Sequence, residues 1–284
     1  MKKFETGCGY YSIVPQEELK DMKHVVSFSG GRTSAYLLHR MIQEYGKENL
    51  IINFANTGRE SFETLLFVAN CEELFQIKIN WIEFDLNEEN KPAFKIVNFD
   101  NASRNGEPLY KAIKHSKYVP NVMQRRCTIV SKIEAMQMFL KSIDCTKDNS
   151  IQYLGIRYDE PKRWSKYINQ FDGNNIIKAY PLVDWKINKK DILDFWKQQP
   201  FDLTIEEPWG NCDLCFLKST KRRIAVLKQK PEIATFWSAI ENEMGNKFDN
   251  QFSVKQLLKI ATGQTIEDVS KFRNYDIDCT CNLD

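Results

Sequence analysis

The stretch Val26-Ser27-Phe28-Ser29-Gly30-Gly31-Arg32-Thr33-Ser34 constrains the fold more than any other part of the chain. An apolar run, "HVVSF", reads as a short buried strand and leads directly into two glycines. Beyond them Ser34, Leu37, Leu38, Met41, Ile42 and Tyr45 recur at helical spacing on one face. The pattern then repeats. Gly46 and Lys47 end the helix, "LIINFA" reads as a second buried strand, and "NTGRES" as a loop. Ser61 is placed to cap a helix whose apolar residues include Phe62, Leu65, Leu66 and Ala69. "IKINWIEFD" is a third strand. Strands joined by helices lie parallel, because a parallel pair needs a long crossover. The expected fold class is α/β: an open, mostly parallel twisted sheet with helices on both faces, followed by a mainly helical C-terminal region.

The rest of the chain fits that frame. With 284 residues, 42% apolar and 27% charged, it can bury one large core. Residues 1–22 read as a polar lead-in and 23–220 as the α/β domain. Within it, residues 86–122 read as a polar, irregular insertion over the sheet. A helix is expected at about 129–142, then the strand "IQYLGIR", then "KAYPLVDW" and the helix "NKKDILDFWKQQ". Residues 221–284 read as a helical extension with a cysteine-bearing tail. A net charge of +2 gives no global field toward nucleic acid or an anionic membrane. No apolar run is long enough to span a bilayer, so no membrane partner is expected. The first twenty residues lack the apolar segment of a signal peptide, which points to the cytoplasm.

The glycine loop suits a phosphate. A helix N-terminus carries unpaired N–H groups and a partial positive charge. Gly30 and Gly31 let the backbone approach closely, and Ser29, Thr33 and Ser34 add hydroxyls. The spacing is neither the Walker pattern nor G-x-G-x-x-G, and a plain turn between strand and helix is the structural alternative.

"SGGRTS" resembles the PP-loop, Ser-Gly-Gly-x-Asp-Ser, of the adenine nucleotide α-hydrolase-like superfamily. Thr33 stands where that loop has an Asp that helps handle magnesium, which weighs against magnesium-dependent ATP cleavage. Four further stretches resemble segments of the phosphoadenosine phosphosulfate (PAPS) reductases, in the same order along the chain. They are "ANTGRESFET", "LGIRYDEPKR", "YPLVDWKINKKDILDFW" and "WGNCDLCF". The resemblance implies an adenine nucleotide at the carboxyl edge of the sheet, where open parallel sheets generally bind ligands. It implies nucleotide contacts from Ser27, Ser29, Gly30, Gly31, Arg32, Thr33, Ser34, Asn56, Thr57, Gly58, Glu60, Gly155 and Arg163. Arg157 and Lys132 would act on the reacting group, since a guanidinium fork suits phosphate or sulfate. Trp185 and Trp196 read as core.

There are eight cysteines. Cys8, Cys71 and Cys145 stand alone, and Cys71 reads as helix core. Cys212-Asp213-Leu214-Cys215 is a C-x-x-C pair, the spacing used by zinc, iron–sulfur clusters and redox dithiols. Two thiolates cannot close a four-ligand site. In iron–sulfur members of the reductase family a Cys-Cys pair lies upstream, and the four thiolates hold a [4Fe–4S] cluster. Here "QRRCTIVSK" supplies only Cys127, with Arg126 at the other position. The fourth ligand must then come from elsewhere, and either Cys279 or Cys281 of the tail could complete the site; a cluster on Cys127, Cys212, Cys215 and Cys279, or zinc on the same thiolates, is the expectation that leaves Cys281 for another use. The resemblance also implies a nucleophile at Cys281, because "CNLD" resembles the Cys-Gly-Leu-His tail of the reductases. Arg125, Arg126, Lys132 and Lys218 would make this setting electropositive.

A basic tract, "FLKSTKRRIAVLKQKP", follows. It reads as a solvated helix face around Ile224, Val226 and Leu227, with a nucleic-acid or carrier-protein surface as the alternative. Two reactions compete. A C-terminal cysteine attacks the sulfur of a sulfonucleotide, PAPS or adenylyl sulfate, and a thioredoxin-like reductant follows. Alternatively ATP, with magnesium, is split to AMP and pyrophosphate to activate a sulfur acceptor such as a nucleic acid. A non-catalytic nucleotide-binding module is the third reading. The sequence leaves the oligomeric state open.

Overall fold

The structure is a computed structural model. It describes residues 4–5, 11–12, 21–121, 123–167, 176–206, 208–249 and 251–263. Cys8, Cys279 and Cys281 lie outside the described residues. Two short strands, β1 (Phe4–Glu5) and β2 (Tyr11–Ser12), pair antiparallel. The main sheet has six strands: β3 (Lys23–Phe28), β4 (Leu50–Asn56), β5 (Ile79–Leu86), β6 (Pro92–Val97), β7 (Ser150–Leu154) and β8 (Ile177–Ala179). Their order is β6-β5-β4-β3-β7-β8, and every pair is parallel except β5–β6.

The strands alternate between two buried faces. Val26, Phe28, Ile52, Phe54 and Trp81 pack with α1 (Arg32–Tyr45) and α2 (Phe62–Phe75). Val25, Ile82 and Phe84 pack beneath α3 (Glu107–Ser116) and the helix that ends at Ser142. Helices thus cover both faces, as the sequence pattern requires. Leu37, Leu38 and Met41 of α1 are fully buried, each contributing ~2 kcal/mol of apolar burial. The Ser61 cap is present, its hydroxyl accepting from the Thr64 amide at 3.2 Å. The face expected for α2 is only partly inside: Leu65 is buried, whereas Phe62 and Leu66 are exposed.

One reading is corrected. Residues 86–122 are not irregular, for they contain β6 and α3. After a tight turn at residues 87–91, β6 runs back along β5 as an edge strand. Pro92 is its first residue, a position where no ladder N–H is needed. Helix α3 buries Leu109, Ala112 and Ile113. The helix expected at 129–142 begins at Arg126 and carries a π segment, Ile129–Glu134, before Ala135–Ser142. The described residues beyond 220 are helical: α4 (Thr220–Gln229), α5 (Ile233–Met244) and α6 (Val254–Ala261), built around Val226, Leu227, Trp237 and Leu257. No described helix is long and apolar enough to cross a membrane.

This topology locates a crevice. From β3 the chain steps outward through β4 and β5, then returns to place β7 on the other side of β3. Such a reversal opens a gap at the carboxyl ends of the two central strands.

Candidate active site

The glycine loop lies at that reversal. Gly30 has φ +77°, and a Cβ there would lie 2.7 Å from Thr64 Cγ2 and 3.1 Å from Phe54 Cε2. Gly31 is the N-cap of α1, and no side chain caps it. The Ser34 hydroxyl holds the loop together. It donates to the Gly31 carbonyl at 2.9 Å, and it accepts from the Ser29 amide at 3.1 Å and from the Ser29 hydroxyl at 2.9 Å. Ser29 is exposed at the edge. The Arg32 guanidinium is engaged by Asp202, at 2.6 and 2.9 Å, and by the Leu203 carbonyl at 2.6 Å. The indole of buried Trp196 donates to the Arg32 carbonyl at 3.1 Å. Trp196 is core, as expected, and it also braces the loop. Ser27 accepts from Gln152 Nε2 at 2.8 Å, within the sheet.

The end of β7 closes on the loop. A Cβ on Gly155 would lie 3.1 Å from Ser34 Cα, so only glycine lets these backbones approach unhindered. Buried Arg157 then reaches Thr33 Oγ1 at 3.2 Å, with Asp159 holding its Nε at 2.9 Å. Arg163 pairs with Glu160, whose other oxygen accepts the Arg157 amide at 2.9 Å.

The end of β4 supplies the opposite wall. Asn56 Nδ2 donates to buried Glu83 at 2.6 Å, and Asn56 Oδ1 accepts from the Gly58 amide at 3.0 Å. Glu83 also takes the Ser103 amide, the Ser103 hydroxyl and Lys95. Sequence reasoning missed this carboxylate; its only signal was a Glu inside an apolar strand. Gly58 has φ +75°, and a Cβ there would lie 2.8 Å from the Gly106 nitrogen. Glu60 has both oxygens engaged. Oε2 takes the Thr57 amide at 2.8 Å and the Thr57 hydroxyl at 2.7 Å, and Oε1 takes Lys132 Nζ at 3.0 Å.

The cysteine segment is stitched to this wall. Glu60 and Cys212 form an antiparallel bridge, with Ser61 N to Asn211 O at 3.0 Å and Asp213 N to Arg59 O at 3.1 Å on either side. Arg59 pairs with Asp213, which also accepts from Trp237 Nε1 at 3.2 Å. Cys127, Cys212 and Cys215 line one cavity of about 500 Å³ including its mouth, together with Thr57, Arg59, Arg125 and Lys132. The electropositive setting is partly reassigned. The Lys218 ammonium is buried against the Cys212 and Asp213 carbonyls at 2.9 and 2.7 Å, and Arg126 bonds Gln124. Lys218 therefore fixes the C-x-x-C backbone, while Arg59, unforeseen from the sequence, joins Arg125 and Lys132 around the thiols.

Three sulfurs in one cavity suit zinc or an iron–sulfur cluster as a donor set. Among the described residues, no group of three or more His, Cys, Asp and Glu side chains is gathered closely enough to hold a metal ion. Cys71 and Cys145 are buried elsewhere, and burial pushes the Cys71 thiol well above its ordinary range, as befits core. The basic tract is not uniformly solvated. Lys221, Lys228 and Lys230 are exposed, but Arg223 is buried in a pair with Asp249.

The chain is 36% identical over 214 residues to the uncharacterized nin region protein ORF290 of Escherichia phage lambda, covering 71% of this chain and 68% of that protein. Among solved structures it is similar to the U34-tRNA thiolase NcsA from Methanococcus maripaludis, determined with its [4Fe-4S] cluster. That match has a TM-score of 0.43 at 15% identity, covering 86% of this chain and 82% of the other. The family model of the phosphoadenosine phosphosulfate reductase domain matches residues 23–202, the strands, loops and helices that build the crevice, and the chain belongs to that family.

Proposed function

We propose that this protein is a sulfonucleotide reductase-like enzyme that binds an adenine nucleotide across the β3–β7 reversal and works on sulfur beside its α-phosphate. The observation that carries this reading is the junction of two sites. The glycine loop and Arg157 stand on one side of the edge. The thiol cavity shares Thr57 and Lys132 with the other.

In this reading the phosphates lie on the amides of Gly30 to Ser34, where the α1 N-terminus favours anions. Arg157 reaches them beside Thr33. The Arg32 and Ser34 side chains contribute by shaping the loop, since both are engaged by protein groups. The Cys281 thiolate attacks the sulfur of the sulfonucleotide. An S–S bond forms, the S–O bond to phosphate breaks, and the nucleotide leaves with the electron pair. A dithiol reductant of the thioredoxin class then attacks the Cys281 sulfur. Sulfite leaves with the pair of the broken S–S bond, and the second reductant thiol closes a disulfide and frees Cys281. Lys132 neutralises charge at the sulfonate. Cys127, Cys212 and Cys215, with Cys279, would hold a [4Fe–4S] cluster, which would order the cysteine-bearing segments beside the sulfonate when bound.

ATP cleavage to AMP and pyrophosphate is the second reading, because the paired glycines leave room for a pyrophosphate. Thr33 in place of an acidic residue speaks against it. Incubating the protein with PAPS, adenylyl sulfate or ATP, with and without reduced thioredoxin, separates the readings. Sulfite released from a sulfonucleotide supports the first and pyrophosphate released from ATP the second. Binding without turnover of any of the three would leave only a nucleotide-binding module.

A further inference from the structure

We infer that Glu60 is a positioning residue that couples nucleotide occupancy at the sheet edge to the thiol-bearing segment, and is not itself a nucleotide contact. The inference rests on the reading of the β4 edge as part of the nucleotide site. Its ground is the set of partners of one buried side chain. Glu60 is 8% exposed as a residue and its side chain 1%. One carboxylate oxygen holds Thr57 twice, through the amide and the hydroxyl. The other holds Lys132 at 3.0 Å and lies 4.0 Å from Cys212 Sγ. Its backbone bridges Cys212 directly. This one side chain thus meets the β4 terminus, the π segment carrying Lys132 and the C-x-x-C segment.

The arrangement acts as a joint. A ligand seated against Asn56, Thr57 and Gly58 restrains Thr57. That fixes the Glu60 carboxylate, which in turn fixes the Lys132 ammonium and the 211–213 backbone. Burial makes the joint stiff, because a carboxylate withdrawn from water relies on these partners alone. Spatial continuity by itself does not establish coupling, so the test must read the coupling.

The experiment is amide hydrogen exchange on the full chain, purified without oxygen, with and without saturating PAPS. The amides to follow are those of Ser61 and Asp213, whose bonds to Asn211 and Arg59 flank the bridge. In the unaltered protein PAPS slows their exchange about tenfold. In Glu60→Gln, which keeps the side-chain volume and removes the charge, that slowing disappears while PAPS affinity stays within about threefold. A merely structural Glu60 would raise exchange with and without nucleotide alike. Equal slowing in Glu60→Gln overturns the inference. So does a loss of affinity above about tenfold at an unchanged melting temperature, which would make Glu60 a direct contact. Should Glu60→Gln fail to fold, Lys132→Met breaks the same pair from the other side and must also abolish the slowing; if the slowing persists there, the inference falls. An unaltered protein that binds none of PAPS, adenylyl sulfate and ATP removes the functional reading, and this inference with it.

Discussion

The glycine loop and the thiol cavity lie on the same sheet edge but are built by different means. The loop is local. Its shape follows from a strand end, a glycine at φ +77° and a helix start, all within a few residues. The cavity is assembled from distant segments: Cys127 precedes a π turn, Cys212 and Cys215 follow the α/β core, and Arg59 and Glu60 come from the loop after β4. The loop takes its shape from its own backbone and is then braced by Trp196 and the Arg32–Asp202 pair, whereas the cavity exists only through buried ion pairs and hydrogen bonds between distant segments. The two should therefore fail separately when broken.

The largest effect is expected in the cavity. Asp213→Ala leaves the Arg59 guanidinium buried without its partner, and should cost ~3–5 kcal/mol in chemical denaturation. It should also lower bound metal, while nucleotide affinity in calorimetry falls by no more than about tenfold. Gly30→Ala comes next. The positive φ and the close Thr64 methyl should together cost ~2–4 kcal/mol, and nucleotide binding should be lost with metal retained. If each substitution abolished both properties equally, the distinction between the two regions would be wrong. Arg157→Ala should weaken PAPS binding by ~1.5–3 kcal/mol, roughly 10- to 150-fold, and should also lower the melting temperature because it breaks the pair with Asp159.

The smallest effect lies away from both regions. His39 on α1 packs against Phe75 and Phe195, and burial lowers its pKa from the ordinary 6.5, with Arg40 adding to the shift. The unfolded chain then binds the proton more readily. His39 therefore contributes stability that is present above about pH 6.5 and is lost as pH falls through the folded value. His39→Gln should flatten that part of the stability–pH curve without altering nucleotide affinity.

The same contrast explains what the sequence disclosed. Strands β3, β4, β5 and β7, helices α1 and α2, and the glycine loop were legible because their signals are periodicities and turn residues read within a short window. Strand β6 was hidden by its edge position, since Pro92 and Lys95 suit an edge and look like loop. Side-chain roles were harder to read. Arg32, Ser34 and Lys218 belong to phosphate- or thiol-bearing motifs by position, yet each is engaged by protein groups. Their partners include Asp202, 170 positions from Arg32, and no local pattern announces such a pair. Arg59 and Asp213, 154 positions apart, were invisible for the same reason.

In the proposed function one sheet edge serves both a nucleotide and a thiol-held centre. The most direct measurement is iron, zinc and acid-labile sulfide content on protein purified without oxygen, with a visible spectrum before and after adding PAPS. The expected result is about four irons and four sulfides per chain, and a spectrum that changes as PAPS saturates. Protein free of iron and sulfide, or a spectrum indifferent to bound PAPS, would contradict it.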